Sequence, residues 1–304
     1  MLTLETVLEW NNLRDAWDRV ADNGGAAGAD AVSIGRYARY WGANLHTLRE
    51  LVRAGRYRPG RLRRVAIPKR GGGQRILLIP TVADRVLQRA VLNVLDPVCE
   101  RIFLPCSHGY RPRRGVRTAL KQITALHNSG LNWVLDADIE DCFPSIDHGR
   151  LRTLIAKHVQ DAPLRALLEC WLGDGRAGSR SGCGLAQGMP TSPLLCNLYL
   201  HELDRVLARG HWPLVRYADD FIICCASERE AEQARTVAAE VLGSISLRLK
   251  QAKTRVTSFD AGFEFLGIRF QGNSYSFMWE EMRFVVEDPV PGWLWGYLPE
   301  GYDG

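Results

Sequence analysis

Apolar side chains that recur every three to four residues predict several helices along this chain. In the segment 81–98 the recurring positions share one helical face, and they are Val82, Val86, Leu87, Ala90, Val91, Val94 and Leu95. A second helix is predicted over 191–210, where Ser192 is a candidate N-cap and Pro193 takes the first helical position. A third is predicted over 227–245, which begins with a capping box formed by Ser227 and Glu230.

Shorter runs that are rich in β-branched and aromatic residues predict strands. These runs occupy the segments 75–80, 132–139, 213–217, 220–225, 254–259 and 263–270. Helices and strands alternate without a regular strand–helix–strand period, so we expect a mixed sheet with helices on one side. The glycine-rich segments 21–30, 69–75 and 173–184 predict loops within one assembly rather than linkers between independent domains.

The composition is that of a folded, water-soluble protein. The chain has 304 residues, of which 46% are hydrophobic, and this suffices for one large domain or two closely associated ones. No apolar stretch is long enough to span a bilayer, and the N-terminus has no basic leader followed by an apolar block. The eight cysteines form no CxxC pair, which is typical of free buried thiols. We therefore expect a cytoplasmic protein without a membrane partner.

Basic residues are concentrated in two segments that contain no acidic residue. The first runs from Leu51 to Ala83 and carries nine basic residues, and the second runs from Arg101 to Leu135. The second segment includes a cluster of Arg111, Arg113, Arg114, Arg117 and Lys121. The tail 271–304 reverses the sign, with six acidic residues against a single arginine. Solvated basic faces are common, but arginine pairs bidentately with phosphate, so this pattern favours a nucleic acid partner.

Carboxylates stand at the ends of predicted strands in two places. The stretch LVRYADDFIICC puts Asp219 and Asp220 at the tight turn between two apolar strands. In VLDADIEDCFPSID, Asp136 and Asp138 share one face of a strand that ends after Ile139. If the hairpin lies beside this strand, three carboxylates converge at one sheet edge, where a divalent cation such as Mg²⁺ would relieve their repulsion. The alternative is that the Asp–Asp pair marks a solvated hairpin turn.

Seven segments of the chain resemble the sequence blocks of one enzyme family. RYADDFII resembles the YxDD motif of reverse transcriptases, and LDADIEDCF resembles the catalytic strand that precedes it. LAQGMPTSPLLCNLYLHELD resembles the QGxxxSPxLxNxxLxxLD block of group II intron-type enzymes. Further blocks are matched by IPKRGGGQRILLIPTVADRVLQ, HGYRPRRGVRTAL, LRLKQAKTRV and FEFLGIRF. All seven occur in the family's order, and the resemblance extends over about residues 13–270.

The resemblance implies a bacterial RNA-directed DNA polymerase, similar to CRISPR-associated or defence-associated reverse transcriptases. The implied fold is α+β: a right hand of fingers and palm, with a mixed or antiparallel palm sheet backed by helices and little or no thumb. We expect the N-terminal extension and fingers over 1–130, and the palm over 131–270 with 150–185 returning to the fingers. The acidic, Trp-containing tail 271–304 would be a truncated thumb or a docking segment.

The catalytic roles follow from the same resemblance. Asp138 and Asp219 would hold two Mg²⁺ ions, for which Mn²⁺ can substitute, helped by the backbone carbonyl of Ile139 and with Asp220 as a supporting ligand. The reaction would be attack of a primer 3′-hydroxyl on the α-phosphate of a dNTP. Lys253 would donate a proton to the leaving pyrophosphate, although a solvated lysine at a strand start is an alternative.

Besides Lys253, five positions match family residues that bind the incoming dNTP. Lys69 and Arg75 flank a glycine-rich turn and would grip the triphosphate, unless the turn is only a basic surface hairpin. Gln187 and Gly188 would lie against the nucleotide. Phe143 would be the bulky gate beneath the sugar, where an aromatic ring leaves no room for a 2′-hydroxyl. The alternative for Phe143 is an ordinary core aromatic residue.

The partners implied are an RNA template, a DNA or RNA primer and dNTPs. Arg111, Arg113 and Arg114 would contact the template backbone without reading its sequence, and Tyr217 would touch the primer end. Only 34 residues follow Phe270, and their acidity is unsuited to cradling a duplex. We therefore expect a partner protein that supplies a thumb or an adaptation function.

Other functions remain open at the level of sequence. One alternative is an RNA-binding scaffold that keeps the polymerase fold with little turnover, and another is template-independent or protein-primed DNA synthesis. RNA-directed RNA synthesis is disfavoured by Phe143. The residues do not distinguish a CRISPR role from an anti-phage role or from a derivative of a mobile element.

Overall fold

The computed structural model describes residues 2–68, 73–172, 182–279 and 282–287, with only the backbone described for 278–279 and 282–287. The chain forms two compact units. The first comprises Met1–Ile102 and Phe143–Tyr199, and the second comprises Phe103–Cys142 and Leu200–Gly304.

The described helices are, in chain order, α1 (Leu4–Val7), α2 (Trp10–Asp22), α3 (Ile34–Ala38), α4 (Trp41–Arg53), α5 (Val82–Cys99), α6 (Val116–Asn128), α7 (Cys142–Ser145), α8 (His148–His158), α9 (Ala162–Leu172), α10 (Ser192–Arg209) and α11 (Glu228–Ser244), with a 3₁₀ turn at Gln251–Lys253. The described strands are β1 (Arg63–Pro68), β2 (Gln74–Ile79), β3 (Trp133–Asp138), β4 (Leu214–Tyr217), β5 (Asp220–Cys225), β6 (Arg255–Ser258), β7 (Phe263–Phe265), β8 (Ile268–Gln271), β9 (Ser274–Trp279) and β10 (Met282–Glu287).

Helix α5 is the centre of the first unit. Its N-cap is Thr81, whose hydroxyl accepts a hydrogen bond from the amide of Asp84 at 3.1 Å. The predicted apolar face is buried almost throughout, and α2 and α4 pack against this helix. The antiparallel hairpin of β1 and β2 belongs to the same unit, with Arg63 opposite Ile79 and Pro68 opposite Gln74.

The second unit is built on a four-stranded sheet with the order β4-β5-β3-β6, in which every pair is antiparallel. The sequence predicted either a mixed or an antiparallel palm sheet, and these four strands form an antiparallel one. Successive residues of a strand face opposite sides of its sheet, and Val134, Leu135, Ile222 and Ile223 are all fully buried. The sheet is thus covered on both faces, not on one as its sequence suggested. Helices α6 and α11 both pack against it.

A second antiparallel sheet follows in the order β10-β9-β8-β7. The segment 263–270, expected to be one strand, forms two, because Leu266 and Gly267 adopt positive φ angles of 54° and 73° and reverse the chain. Stacked rings of Phe263 and Phe270, 4.8 Å apart, anchor this sheet in the core of the unit. Strands β9 and β10 were not expected, and they carry the sheet into the acidic tail.

The described helices include none that is both long and apolar enough to cross a bilayer.

Candidate active site

The two aspartates of the YADD stretch lie at the tip of a tight hairpin. Strands β4 and β5 pair antiparallel with Tyr217 opposite Asp220, so that Ala218 and Asp219 form a two-residue turn. Ala218 has a φ of 57°, which L residues adopt only when their surroundings enforce it. The turn packs against Gly109, where a Cβ atom would lie 2.6 Å from the amide nitrogen of Ala218. The position of Asp219 is therefore set by close packing beneath the turn.

Strand register brings the predicted carboxylates to one place. In the pairing of β3 with β5, Asp138 lies directly opposite Asp220. Directly opposed residues of antiparallel strands have Cα atoms about 4.5–5.5 Å apart and side chains on the same face. Asp219 precedes Asp220 in the turn, so the three aspartates are gathered at one end of the sheet, as the sequence predicted.

The pKa of Asp220 records the electrostatic conflict in this cluster. It is raised to about 7, first by burial and then by the negative charges of Asp219 and Asp138, against the opposing effect of Lys253. A carboxyl group in this state takes up a proton near neutral pH unless a cation compensates the neighbouring charges. The cluster is therefore suited to binding positive charge.

Two lysines supply positive charge from the segment after α11. The ammonium group of Lys253 lies 2.8 Å from Oδ2 of Asp138, and that of Lys250 lies 3.8 Å from the same oxygen. The amide of Lys250 also donates to the carbonyl of Asp138 at 2.8 Å, which holds this segment against the end of β3. The hydrogen bond to Asp138 raises the pKa of Lys253, so its side chain stays protonated.

A cavity of about 440 Å³ opens beside these groups within the second unit. Asp136, Asp138, Asp220 and Lys253 line it, together with Arg255 and the turn 264–267. Arg255 donates to Asp136 at 3.0 Å, yet burial still raises the pKa of Asp136.

Sequence reasoning gave no role to Lys250 or Arg255. The sequence signal for such a role was the close spacing of Lys250, Lys253 and Arg255 in LKQAKTR, because a sharply turned segment can bring several cations near one acidic cluster.

The acidic cluster has the oxygen donors that magnesium prefers. Among the described residues, no three His, Cys, Asp or Glu side chains are arranged to hold a metal ion by themselves. Mg²⁺ commonly takes only one or two protein carboxylates and fills its octahedron with waters and substrate phosphates. Asp138 and Asp219 fit that pattern. Ile139 lies opposite Leu249 in an antiparallel bridge. The two hydrogen bonds of this bridge are accepted by the carbonyls of Asp138 and Arg248, so neither uses the carbonyl of Ile139.

Four of the positions predicted to bind nucleotide, Arg75, Phe143, Gln187 and Gly188, lie among the described residues of the first unit. Arg75 is exposed on β2, and Lys69 falls outside the described residues. The carbonyl of Gln187 accepts a hydrogen bond from the amide of Leu78 at 2.7 Å, which ties the QG segment to β2. Gly188 has a φ of 106°, and a Cβ atom there would lie 2.8 Å from the carbonyl oxygen of Leu78.

The predicted sugar gate, Phe143, belongs to the same unit. Its side chain is only 8% exposed, and its carbonyl accepts a hydrogen bond from Leu185 at 2.8 Å. The two bonds accepted by Phe143 and Gln187 hold both ends of the short segment 185–187. A burial of this degree is compatible with either a gate or a core aromatic residue.

The predicted nucleic-acid contacts lie in the second unit. Arg113 is exposed with a φ of 61°, and Arg114 donates to the carbonyl of Pro105 at 2.9 Å. Arg111 is instead buried, and its guanidinium donates to the carbonyls of Leu104 and Ser107 at 2.7 and 2.8 Å. The sequence alone could not distinguish this structural arginine from its exposed neighbours.

Tyr217 sits beside another aromatic ring at the hairpin. It is partly buried, and its ring lies 6.2 Å from that of Tyr110, which is 54% exposed. The two tyrosines extend the hairpin surface next to Asp219.

Comparison with known proteins identifies the family. The family model described as reverse transcriptase (RNA-dependent DNA polymerase) matches residues 67–270. Protein YkfC of Escherichia coli is 32% identical over an alignment of 317 positions, gaps included, which covers 88% of this chain and 82% of that protein. Group II intron-encoded protein LtrA of Lactococcus lactis is 38% identical over 159 residues, which cover 51% of this chain and 26% of LtrA.

The fold is also found among solved structures. Telomerase from Candida albicans, in complex with a fragment of telomeric RNA, aligns with a TM-score of 0.52 at 13% identity, covering 71% of this chain and 46% of that one. At this identity the likeness concerns the fold alone, and it confirms the expected α+β arrangement of fingers and palm. On its sequence blocks, its antiparallel palm sheet and the family match, this chain belongs to the reverse transcriptase family as a group II intron-like RNA-directed DNA polymerase.

Proposed function

We propose that this polymerase adds dNTPs to a primer 3′-hydroxyl by two-metal-ion phosphoryl transfer at Asp138 and Asp219. The observation that carries the proposal is the strand register, which sets Asp138 opposite Asp220 with Asp219 in the adjoining turn. The pKa of Asp220 stays raised despite the opposing charge of Lys253, so the cluster favours binding of further positive charge. Two Mg²⁺ ions bound there would activate the attacking hydroxyl and neutralise charge on the α-phosphate and the leaving group.

The aspartates would contribute alignment and charge rather than covalent chemistry. Asp138 and Asp219 are the proposed ligands, and Asp220 supports them from the facing strand. The backbone carbonyl of Ile139 remains a proposed further ligand. Lys253 lies 2.8 Å from Oδ2 of Asp138, so a metal ion bound to that oxygen would displace its ammonium group.

Lys253 is well suited to serve as the general acid. The hydrogen bond to Asp138 raises its pKa and keeps the proton on the ammonium group, and release from Asp138 would lower that pKa and make the group a better proton donor. Its side chain is 59% exposed and stands at the end of a short 3₁₀ turn, where it is free to follow the leaving pyrophosphate. We assign Lys253 the protonation of that pyrophosphate.

Nucleotide selection is assigned to residues of the first unit. Arg75 and Lys69 would bind the triphosphate, and the segment of Gln187 and Gly188 would lie along the nucleotide. The close approach of Gly188 to the backbone of Leu78 supports this, because it leaves no room for a side chain and holds the segment against β2. Phe143 would exclude the 2′-hydroxyl and so favour dNTPs over NTPs.

Template and primer contacts are assigned to the basic loop and the hairpin of the second unit. Arg113 and Arg114 would bind template phosphates. Arg111 would act by holding the loop, because its guanidinium is occupied by the carbonyls of Leu104 and Ser107. Tyr217 would contact the primer end.

The proposed biological setting is that of a group II intron-related element, supported by the similarity to LtrA. A CRISPR or anti-phage role is the alternative. Sequencing the genomic neighbourhood separates them, since flanking intron RNA would support the first and an adjacent CRISPR array would contradict it.

Primer extension on an RNA template tests the proposed chemistry. Wild-type protein should incorporate dNTPs only with Mg²⁺ or Mn²⁺, and Asp219→Asn should reduce the rate by about 1,000-fold or more while RNA affinity stays within about threefold. Asp18→Asn, at an exposed position on α2, is the matched control and should behave as wild type. Normal polymerisation by Asp219→Asn would overturn the assignment.

A further inference from the structure

The guanidinium of Arg216 is completely buried beneath the catalytic hairpin. Arg216 lies on β4 and is the largest fully buried side chain among the described residues of the second unit. Its partner is Asp204 of α10, also fully buried, and the two form a bidentate pair: Nε donates to Oδ1 at 2.7 Å and Nη2 to Oδ2 at 2.6 Å. Neither residue was given a role by the sequence blocks, although an arginine in an apolar strand signals a buried acidic partner.

The same guanidinium reaches the turn that carries Asp219. Nη1 donates to the carbonyl oxygen of Ala218 at 2.9 Å, and Nη2 donates to Oγ of Ser107, also at 2.9 Å. The Ala218 carbonyl belongs to the peptide group that joins Ala218 to Asp219. One rigid, planar group therefore connects helix α10, the segment of Ser107 and the peptide bond on which the catalytic carboxylate is mounted.

The backbone of Arg216 is held as firmly as its side chain. Its amide donates to the carbonyl of Cys106 at 2.7 Å, and its carbonyl accepts from the amide of His108 at 2.8 Å. Strand β4 is thus clamped on one side just before the turn. Two contacts therefore hold Ala218 at its left-handed φ of 57°: the backbone bonds of Arg216 fix the strand before it, and the Arg216 side chain bonds its carbonyl.

Stability alone is a poor reason for such a pair. Replacing a buried ion pair with apolar residues of similar volume is often neutral or stabilising, because burying two charges is costly. The guanidinium donors left over from the pair need acceptors once they are buried, and one of these acceptors is the carbonyl of the catalytic turn itself. The hydrogen bond to Ala218 therefore indicates a function in setting the geometry of the hairpin.

We propose that Arg216, oriented by Asp204 and Ser107, is a positioning residue that fixes the Asp219 carboxylate at the place where it shares metal ions with Asp138. The inference rests on the proposed two-metal function. A displacement of about 1 Å at such a site costs about 100-fold in rate, so loss of this anchor should lower kcat and weaken metal binding while leaving the KM for dNTP nearly unchanged.

The decisive variant replaces both charges with apolar residues, as R216M/D204L. We expect a folded protein with a melting temperature within about 5 °C of wild type, a kcat lowered about 100-fold and a Mg²⁺ requirement raised about tenfold. Mn²⁺ binding, followed by electron paramagnetic resonance without substrates, should weaken by a similar factor. The matched control is R89M/D96L, which removes a 2.8 Å ion pair on α5 in the other unit and should leave kcat and metal requirement unchanged.

Two milder variants keep the test decisive if the double variant does not fold. S107A removes one hydrogen bond from Nη2, and R216K keeps the charge but cannot make all four bonds at once. Both should raise the Mg²⁺ requirement, S107A at a nearly unchanged melting temperature and R216K at a lower one, because the acceptors that lysine cannot reach are left unpaired in the core. Wild-type metal dependence in these variants, or in folded R216M/D204L, would overturn the positioning role. If wild-type protein itself shows no metal-dependent synthesis, the proposed function fails instead.

Discussion

The substitution Gly109→Ala tests the packing that holds the catalytic turn. The added Cβ atom would lie 2.6 Å from the amide nitrogen of Ala218, about 0.8 Å short of an ordinary contact of 3.4 Å. It would also lie 3.1 Å from Cδ1 of Tyr217. Gly109 cannot retreat easily, because the neighbouring His108 amide is bonded to Arg216 at 2.8 Å. We therefore expect the turn itself to shift.

The size of the effect follows from that distance. Overpacking of this kind costs about 1–3 kcal/mol of folding free energy, which corresponds to a melting temperature lower by about 3–10 °C. A shift of most of an ångström in the turn should lower kcat by about 100-fold. The rate should therefore fall far more than the folded fraction, which stays near unity at 25 °C for a protein of ordinary stability.

Steady-state primer extension and thermal melting on the same preparation measure both quantities. Gly115→Ala is the matched control, since it lies in the same loop, has an extended φ of 177° and would place its Cβ with nothing within 4 Å. A kcat within about threefold of wild type for folded Gly109→Ala would refute the view that close packing under the turn positions Asp219.

Three further predictions concern other parts of the molecule. Phe143→Ala should lower the preference for dNTPs over NTPs by about tenfold or more in competitive incorporation assays, and unchanged selectivity would make this ring an ordinary core residue. Gly188→Ala should raise the KM for dNTP severalfold, since its Cβ would lie 2.8 Å from the Leu78 carbonyl, and an unchanged KM would contradict its role along the nucleotide. Burial lowers the pKa of His108 from 6.5 to about 4, so its stabilising contribution is complete above pH 6.5 and is lost as pH falls through 4. Urea denaturation should therefore show that the free energy of unfolding falls by up to about 3 kcal/mol between pH 7.5 and pH 4. His108→Gln should reduce this fall, and substitution of the exposed His46 should not. The same pH dependence of the unfolding free energy in His108→Gln and wild type would contradict the assignment.

Much of the site could be predicted because local rules determine it. The turn at Ala218 and Asp219 follows from two apolar strands separated by two residues, and the helix at 82–99 follows from the apolar period of the segment 81–98. The meeting of Asp138 with Asp220 did not follow from local rules. It needed the family resemblance, because strand register across the 81 residues between Asp138 and Asp220 is a tertiary property.

What the sequence missed depends on partners that are distant along the chain. Arg111 and Arg113 are two residues apart in one basic run, yet only the first turns inward to bond backbone carbonyls. Arg216 finds Asp204 on a different element, and Lys250 and Arg255 acquire meaning only beside the acidic cluster. The division of 263–270 into two strands was hidden because Leu266, a residue that favours neither turns nor positive φ, shares the turn with Gly267.

Iron-directed cleavage tests the central claim, the sharing of metal ions by the β3 end and the hairpin turn. Fe²⁺ replaces Mg²⁺ in the protein bound to a template–primer and a dNTP, peroxide and ascorbate generate hydroxyl radicals at the metal, and mass spectrometry maps the backbone cuts. The account predicts cuts within a few residues of both Asp138 and Asp219, which excess Mg²⁺ suppresses and Asp219→Asn abolishes. Cuts at only one of the two segments, or a pattern that Mg²⁺ leaves unchanged, would contradict it.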